Sequence, residues 1–482
     1  MRVLVIGCGY VGERAADLLH EAGHQVTGIT HSPESAERLA AAKPWQARAC
    51  DVSSPAQTLA IAAETGAVDA FIHCASSGKG GAESYQAVYM DGMKNLLAAF
   101  PSARPVFTSS TSVYAQTDGS TVDEISPAEP ARDTGRLLRA AEQLALDAGG
   151  AVARLAGIYG PGRSFVLKNL LEGKSGVETA EGAPDGRIIN QIHRDDAAAA
   201  LARIVTQELT GVFNVVDDAP MPQRACLEKL AFLFSLPRPR DTAPDPGRKR
   251  GWTHKAVSNA RLRAAGWTPL YPDYFAALRD DPDLASSILQ LVSEGGAASL
   301  PRAENIVLIG LMGCGKTSVG RTVANMLGFQ FLDTDHLIIE EAGRPIPAIF
   351  ASEGEAGFRL RESAALRRLI GRRHCVIATG GGIITQARNR PLLQHLGFIT
   401  WLEADPELLA RRTAGNNDRP LLRGGDESPL EKLRRLLAER GPLYKSLADL
   451  RIQTGELSQP ETAYGVAESA RIFFSGRRRL AS

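Results

Sequence analysis

Short runs of β-branched and other apolar residues recur along the whole chain and alternate with alanine-rich stretches of helical character. In the first part the strand candidates are VLVIG, QVTGIT, AFIHCA, PVFTSS, AVARLAGIY and GVFNVV. In the second they are NIVLIG, FQFLDTD, CVIATGGG, FITWLEA and LRIQT. Apolar strands interleaved with helices predict parallel sheets covered on both faces. Two glycine-rich loops, in VLVIGCGYVGERAADLL at the start and IVLIGLMGCGKTSVGRTVANML after residue 305, each follow a strand and open a helix. The chain therefore starts folding twice, and the expected class is α/β with two doubly wound domains, the first of Rossmann type. Between them, DDPDLASSILQLVSEGGAASLPRAE combines a short helical pattern with Gly-Gly, small residues and a proline. That composition marks a linker over 280–303, between a first domain at 1–279 and a second at 304–475, with 476–482 a basic tail expected to fray.

Bulk properties narrow the picture. A length of 482 residues exceeds what one ordinary core supports, so at least two domains are required. A net charge of +1 gives no reason to expect nucleic acid or a membrane surface as a partner. The six cysteines are scattered without a CxxC pair, several inside apolar runs, which suggests reduced thiols and a cytoplasmic protein. The N-terminal MRVLVIGCGYVGERAA reads as a first strand, not a signal peptide, and no stretch is long enough to span a bilayer. Nothing in the sequence sets an oligomeric state.

The second loop carries the sharper chemistry. Gly310 to Thr317 fits G-x-x-x-x-G-K-[ST] and sits between a strand and a helix, the context that the motif demands. Backbone N–H groups of Gly313, Cys314, Gly315 and the following Lys316, Thr317 and Ser318 can curl around a nucleotide's phosphates, with the helix N-terminus adding positive potential. Lys316 would neutralise the β/γ-phosphates and the Thr317 hydroxyl would ligate Mg²⁺. A P-loop identifies a nucleotide and not an acceptor, so the choice falls to the residues downstream.

Asp333 and Asp335 end the second strand in FLDTD, where alternate positions face the same way. One could hold a magnesium water and the other an acceptor hydroxyl; a cap for the next helix is the plainer role. Arg359 lies on a helix after GEAG, and Gly380-Gly381-Gly382 follows the strand CVIAT. A guanidinium beside glycines that expose backbone suits a carboxylate, although in isolation Arg359 reads as a surface charge. Arg411, Arg412 and Asn416 to Pro420, including Arg419, have the character of a mobile cover that brings arginines to phosphate. Arg440 stands at a Gly-Pro pair expected to break its helix.

Together these motifs resemble the shikimate kinase family over about residues 305 to 455: the P-loop, FLDTD, IFASEGEAGFRLRE, the triple glycine, RRT with RPLL, and RGPLYKSLAD. The resemblance implies a P-loop fold like that of the nucleoside monophosphate kinases. It also implies transfer of the γ-phosphoryl group of ATP to the 3-hydroxyl of shikimate, in chorismate and aromatic amino acid biosynthesis. By that resemblance Asp335, Arg359, Gly381 and Arg440 bind shikimate, Lys316 and Thr317 serve ATP and Mg²⁺, and Asp333 sits near the metal through water. Arg419 is similar to a lid arginine that covers ATP, and Arg412 to one near the transferred phosphate. No counterpart of the family's adenine-contacting residue stands around Glu456-Leu457. A small carboxylic acid with ring hydroxyls suits two arginines, a carboxylate and exposed amides. Gluconate or a nucleoside monophosphate is the rival acceptor.

The first loop, Gly7-Cys-Gly9-Tyr10-Val11-Gly12, fits G-x-G-x-x-G between a strand and a helix, which points to a dinucleotide fold. The second strand ends at Thr30-His31-Ser32, with no acid for a ribose 2′-hydroxyl and no arginine that argues for a 2′-phosphate, so NAD and NADP both stay open. With Asp51, the segments HCA, FTSSTSVYA, RLAGIYGPGR and IHRDDAAAAL resemble the extended short-chain dehydrogenase/reductase family of sugar-nucleotide epimerases and dehydratases. That family's Tyr-x-x-x-Lys pair, in which lysine lowers the tyrosine's pKa for proton exchange during hydride transfer, falls here on Thr134 and Leu138. Ser110 remains where the family's helper hydroxyl sits. The expectation is a domain that only binds a nucleotide or a partner, as sensor or scaffold. The alternative is a bifunctional protein with a live epimerase or reductase activity, in which Tyr114 or another group has taken over.

Overall fold

The computed structural model describes residues 1–78, 80–245, 251–295, 301–414 and 427–481. The chain forms two compact units, one of residues 1–163, 176–227 and 239–277, the other of 164–175, 228–238 and 278–482.

The first unit is built on seven parallel strands: β1 (Arg2–Ile6), β2 (Gln25–Thr30), β3 (Gln46–Ala49), β4 (Ala70–His73), β5 (Arg104–Ser110), β6 (Ala151–Leu155) and β7 (Gly211–Val215). They lie in the order β7-β6-β5-β4-β1-β2-β3, with Val3 of β1 opposite both Val26 and Ala70. The chain thus winds outward in both directions from β1, and the loops after β1 and β4 meet at the switch point where such sheets bind ligands. Five of the apolar runs become sheet strands as expected. AVARLAGIY divides: β6 ends at Leu155, and Gly157–Tyr159 leaves the sheet to pair with Gln191–His193. The edge strand β3, QARA, lies outside the apolar runs because an edge strand can stay half wet. Helix α1 (Gly12–Glu21) follows the first glycine loop, α2 (Pro33–Ala42) follows β2 with Ser32 as its cap, and α3 (Asp133–Asp147) crosses from β5 to β6.

The stretch read as a linker contains helix α4 (Leu284–Glu294). Leu284, Ile288, Leu289 and Val292 recur at helical spacing and are at most 1% exposed. Burying each contributes on the order of 1.5–3 kcal/mol, which is why this short pattern orders.

The second unit carries five parallel strands, β8 (Ile306–Ile309), β9 (Gln330–Asp333), β10 (Cys375–Ala378), β11 (Phe398–Glu403) and β12 (Leu450–Gln453), in the order β9-β10-β8-β11-β12. All five match the apolar runs of the sequence, and every residue of β8 and β10 is buried. Around them lie α5 (Lys316–Leu327), α6 (Thr334–Ala342), α7 (Ile346–Arg368), α8 (Pro406–Thr413), α9 (Pro429–Leu447) and α10 (Gln459–Ala481). Gly328 and Gly343, both left-handed, stop α5 and α6, and α7 kinks at Gly354, where φ is +68°. A capping box between Ser428 and Glu431 starts α9.

Two expectations are corrected here. Helix α9 runs straight through Gly441-Pro442, so Arg440 sits inside a helix and not at its end; packing outweighs the one hydrogen bond that proline forfeits. Helix α10 continues to Ala481, through the tail expected to fray.

Candidate functional site

In the second unit the loop from Gly310 to Gly315 turns under β8 by placing Gly313 and Gly315 at φ of +82° and +97°. A side chain at Gly313 would also meet Thr413 at 2.8 Å, so the loop can pass there only without one. Lys316 folds back over the loop and donates to the carbonyls of Gly310 (2.8 Å) and Leu311 (2.9 Å). The Thr317 hydroxyl donates to Asp333 Oδ2 at 2.9 Å, and Asp333 Oδ1 accepts from the backbone N–H of Asp335 at 3.0 Å. Asp333 is therefore the cap of α6, its plainer expected role, and also a partner of the P-loop. Asp335 belongs to the first turn of α6 and not to the strand. The two carboxylates converge because strand gives way to helix between them, not through strand alternation.

A cavity of about 410 Å³ joins these groups. Gly313, Gly315, Lys316, Thr317, Ser318, Asp333, Asp335, Arg359, Gly381, Arg412 and Arg440 all line it. Cys314 does not; it is buried beneath the loop, its sulfur 3.7 Å from Lys316 Nζ. Arg419 and its neighbours Asn416 to Pro420 lie outside the described residues. Arg412 on α8 donates to the Thr454 carbonyl at 3.2 Å.

Arg359 is 6% exposed, which corrects its reading as a surface charge. Its guanidinium donates to Glu362 at 2.6 Å and Glu355 at 2.7 Å. Burial works against that charge, but the two carboxylates hold its pKa above the ordinary value. Glu362 is fully buried, and burial pushes its carboxyl up to about 7; the Asp335 charge adds to the shift while Arg359 and Arg440 oppose it. The triple glycine makes this cluster possible. A Cβ on Gly382 would fall 2.1 Å from the Arg359 guanidinium, and one on Gly380 2.4 Å from Glu362 and 2.9 Å from Asp335. The Gly381 carbonyl accepts from Arg440 (3.2 Å) and from the Tyr444 hydroxyl (2.5 Å).

Glu362, which lines the cavity, and Tyr444, which bonds the Gly381 carbonyl, were given no role from the sequence. The i, i+3 spacing of Glu362 from Arg359 could have flagged the first; no local signal flags Tyr444, whose partner is 63 residues away. Chemically the cavity offers a phosphate cradle with a hydroxyl–carboxylate pair at one end, and arginines with carboxylates at the other.

In the first unit a second cavity, of about 730 Å³, opens over the switch point. Gly7, Gly9, Tyr10, Val11, Gly12 and Asp51 all line it. Gly7 is left-handed at φ +91°, with an added Cβ 2.3 Å from the Ala75 nitrogen, and a Cβ on Gly12 would lie 2.3 Å from the Gly7 carbonyl. Gly9 has open space where its Cβ would be, so a ligand can rest on its backbone. Ser110 and Leu138 line the same cavity, so an apolar side chain stands at the position aligned with the family's lysine. Tyr114 is fully buried and does not line it. Its hydroxyl donates to Asn214 (2.8 Å) and accepts from Arg154 (2.7 Å), whose other nitrogens grip the buried Glu142.

Comparison with known proteins agrees with both halves. Residues 312–471 match the shikimate kinase family model, and residues 3–215 match that of the NAD dependent epimerase/dehydratase family. The shikimate kinase of Neisseria gonorrhoeae is 48% identical over 149 residues, 31% of this chain and 86% of that protein. That of Symbiobacterium thermophilum is 47% identical over 166 residues, 34% of this chain and 94% of its own. A solved UDP-glucose-4-epimerase from Stenotrophomonas maltophila aligns with 61% of this chain and 100% of its own at a TM-score of 0.50 and 20% identity, a likeness of fold alone. Through residues 312–471 the chain belongs to the shikimate kinase family.

Proposed function

We propose that the second unit transfers the γ-phosphoryl group of ATP to the 3-hydroxyl of shikimate, giving shikimate 3-phosphate. One observation carries this reading: a single cavity is lined at once by the P-loop and by Asp335, Arg359 and Arg440. Lys316 neutralises the β- and γ-phosphates, while the backbone of Gly313 to Ser318 cradles them. The adjacent Thr317 hydroxyl and Asp333 carboxylate fit a magnesium ion held directly and through water. Magnesium, when bound with ATP, supplies charge neutralisation of the phosphates. Arg359 and Arg440 grip the acceptor's carboxylate beside Gly381, and Asp335 orients the 3-hydroxyl and takes up its proton. Arg412, on the cavity wall, stabilises the phosphate in flight.

The first unit, in this reading, holds NAD or NADP without hydride transfer, because Leu138 occupies the lysine position and Tyr114 is sealed in a buried network. A cytoplasmic location goes with six free cysteines. No helix among the described residues is long and apolar enough to cross a membrane.

The test is ADP release from MgATP with and without shikimate, on wild type, Lys316→Met and Arg359→Ala. Wild type should turn over only with the acid present. Lys316→Met should lose about 10²–10³-fold or more in kcat, and Arg359→Ala should raise the shikimate KM with the ATP KM little changed. Turnover indifferent to shikimate would refute the assignment.

A further inference from the structure

The dinucleotide cavity of the first unit extends past the glycine loop to the end of β2, where His31, Ser35 and Arg38 line it. Arg38 comes from α2, eight residues beyond the strand, which is why the strand end alone gave no arginine. Asp51 is the one acid among the described lining residues, and it stands after β3, beside His31.

The neighbouring charges leave Arg38 available. Lys43, at the far end of α2, is taken by Glu13 and Asp17, each at 2.8 Å. Glu34 is drawn to Ser32 at the start of the helix, and neither it nor Glu37 lines the cavity. Among the described residues no carboxylate or carbonyl engages the exposed Arg38 guanidinium. Ser35 shares a hydroxyl hydrogen bond with Ser32 at 3.1 Å, placing a second donor on the same rim.

At the end of β2 this fold recognises a ribose with free hydroxyls by a carboxylate, and the cavity's one acid among the described lining residues, Asp51, stands after β3 instead. A guanidinium, an imidazole and a hydroxyl instead suit a phosphate monoester, which accepts several charge-assisted hydrogen bonds. We infer that this cavity selects a dinucleotide with a phosphate on its adenosine ribose, the NADP(H) class, held by Arg38, His31 and Ser35. This rests on the reading of the first unit as a dinucleotide holder.

The test is calorimetric titration of the full chain with NADPH, NADH, NADP⁺ and NAD⁺, on wild type, Arg38→Ala and Ser35→Ala. Each phosphorylated ligand should bind at least about thirtyfold more tightly than its unphosphorylated partner. Arg38→Ala should shrink that ratio to about threefold or less and leave NADH affinity unchanged, and Ser35→Ala should shrink it partway. Because Arg38 is exposed, its loss leaves folding intact. NADH binding as tightly as NADPH, or a ratio indifferent to Arg38→Ala, overturns the 2′-phosphate subsite while the dinucleotide reading stands. Failure of all four ligands to bind overturns both.

Discussion

Arg359 and Glu362, three residues apart on one helix, are both buried and share a 2.6 Å hydrogen bond on the floor of the kinase cavity. The arginine is thereby aimed, but its charge is also partly spent on the glutamate. A carboxylic acid arriving beside Arg359 repels the ionised form of Glu362 and favours the protonated one. With Glu362 pushed up to about 7, acceptor binding near neutral pH should take up a proton, seen calorimetrically as a dependence on buffer ionisation enthalpy. Glu362→Gln should abolish that uptake; its persistence in the variant would place the proton elsewhere. Stability follows the same sign. The folded state holds this proton where the unfolded chain, with an ordinary value of 4.5, has released it. The group's contribution is therefore present below about pH 4.5 and is lost as pH rises towards about 7.

Tyr444 should matter to the acceptor without touching the nucleotide. Its hydroxyl and Arg440 share the Gly381 carbonyl, so Tyr444→Phe leaves the carbonyl to Arg440 alone and draws that guanidinium inward. We expect a stability loss of about 1 kcal/mol and a severalfold rise in the shikimate KM at unchanged ATP KM. An equal rise in both would show that the tyrosine serves the whole cavity.

Asp333 bonds the P-loop and caps α6 through separate oxygens, Oδ2 to the Thr317 hydroxyl and Oδ1 to the Asp335 N–H. Asparagine caps helices about as well as aspartate, so Asp333→Asn should fold normally. The magnesium concentration for half-maximal turnover should rise about tenfold or more as the negative charge is lost. Unchanged magnesium dependence would remove Asp333 from the metal site.

The P-loop was legible because its eight positions are contiguous and the motif is complete within them. Five kinase strands were legible because β8 to β12 are apolar runs. What escaped notice depends on distance: Tyr444 meets Gly381 across 63 residues, and Arg38 reaches a cavity whose other walls include residues of β1, β2, β5 and β6. The triple glycine was read as exposing backbone. Its Cβ contacts show a further reason, room for Arg359, Glu362 and Asp335 to crowd the chain. The Gly-Pro in α9 misled because a local rule against proline lost to helix packing across Leu433, Leu436 and Tyr444.

The buried network under the dinucleotide cavity gives a last prediction. Arg154 donates to both oxygens of Glu142, at 3.1 and 2.7 Å, and Ser109 adds a hydrogen bond of 2.5 Å. Both charges are at most 2% exposed, and because Glu142 is also held by Arg139, it is the loss of Glu142 that strands Arg154. Such a break costs roughly 3–5 kcal/mol. Glu142→Leu should lower the melting transition that responds to bound dinucleotide by roughly 6–20 °C. Glu142→Leu with Arg154→Met should recover most of the loss, because two apolar groups of similar volume need no pairing. Tyr114→Phe, by contrast, should leave dinucleotide affinity unchanged, because its hydroxyl faces Asn214 and Arg154 and not the cavity. A tenfold weakening in that variant would return Tyr114 to the ligand and reopen the case for catalysis in the first unit.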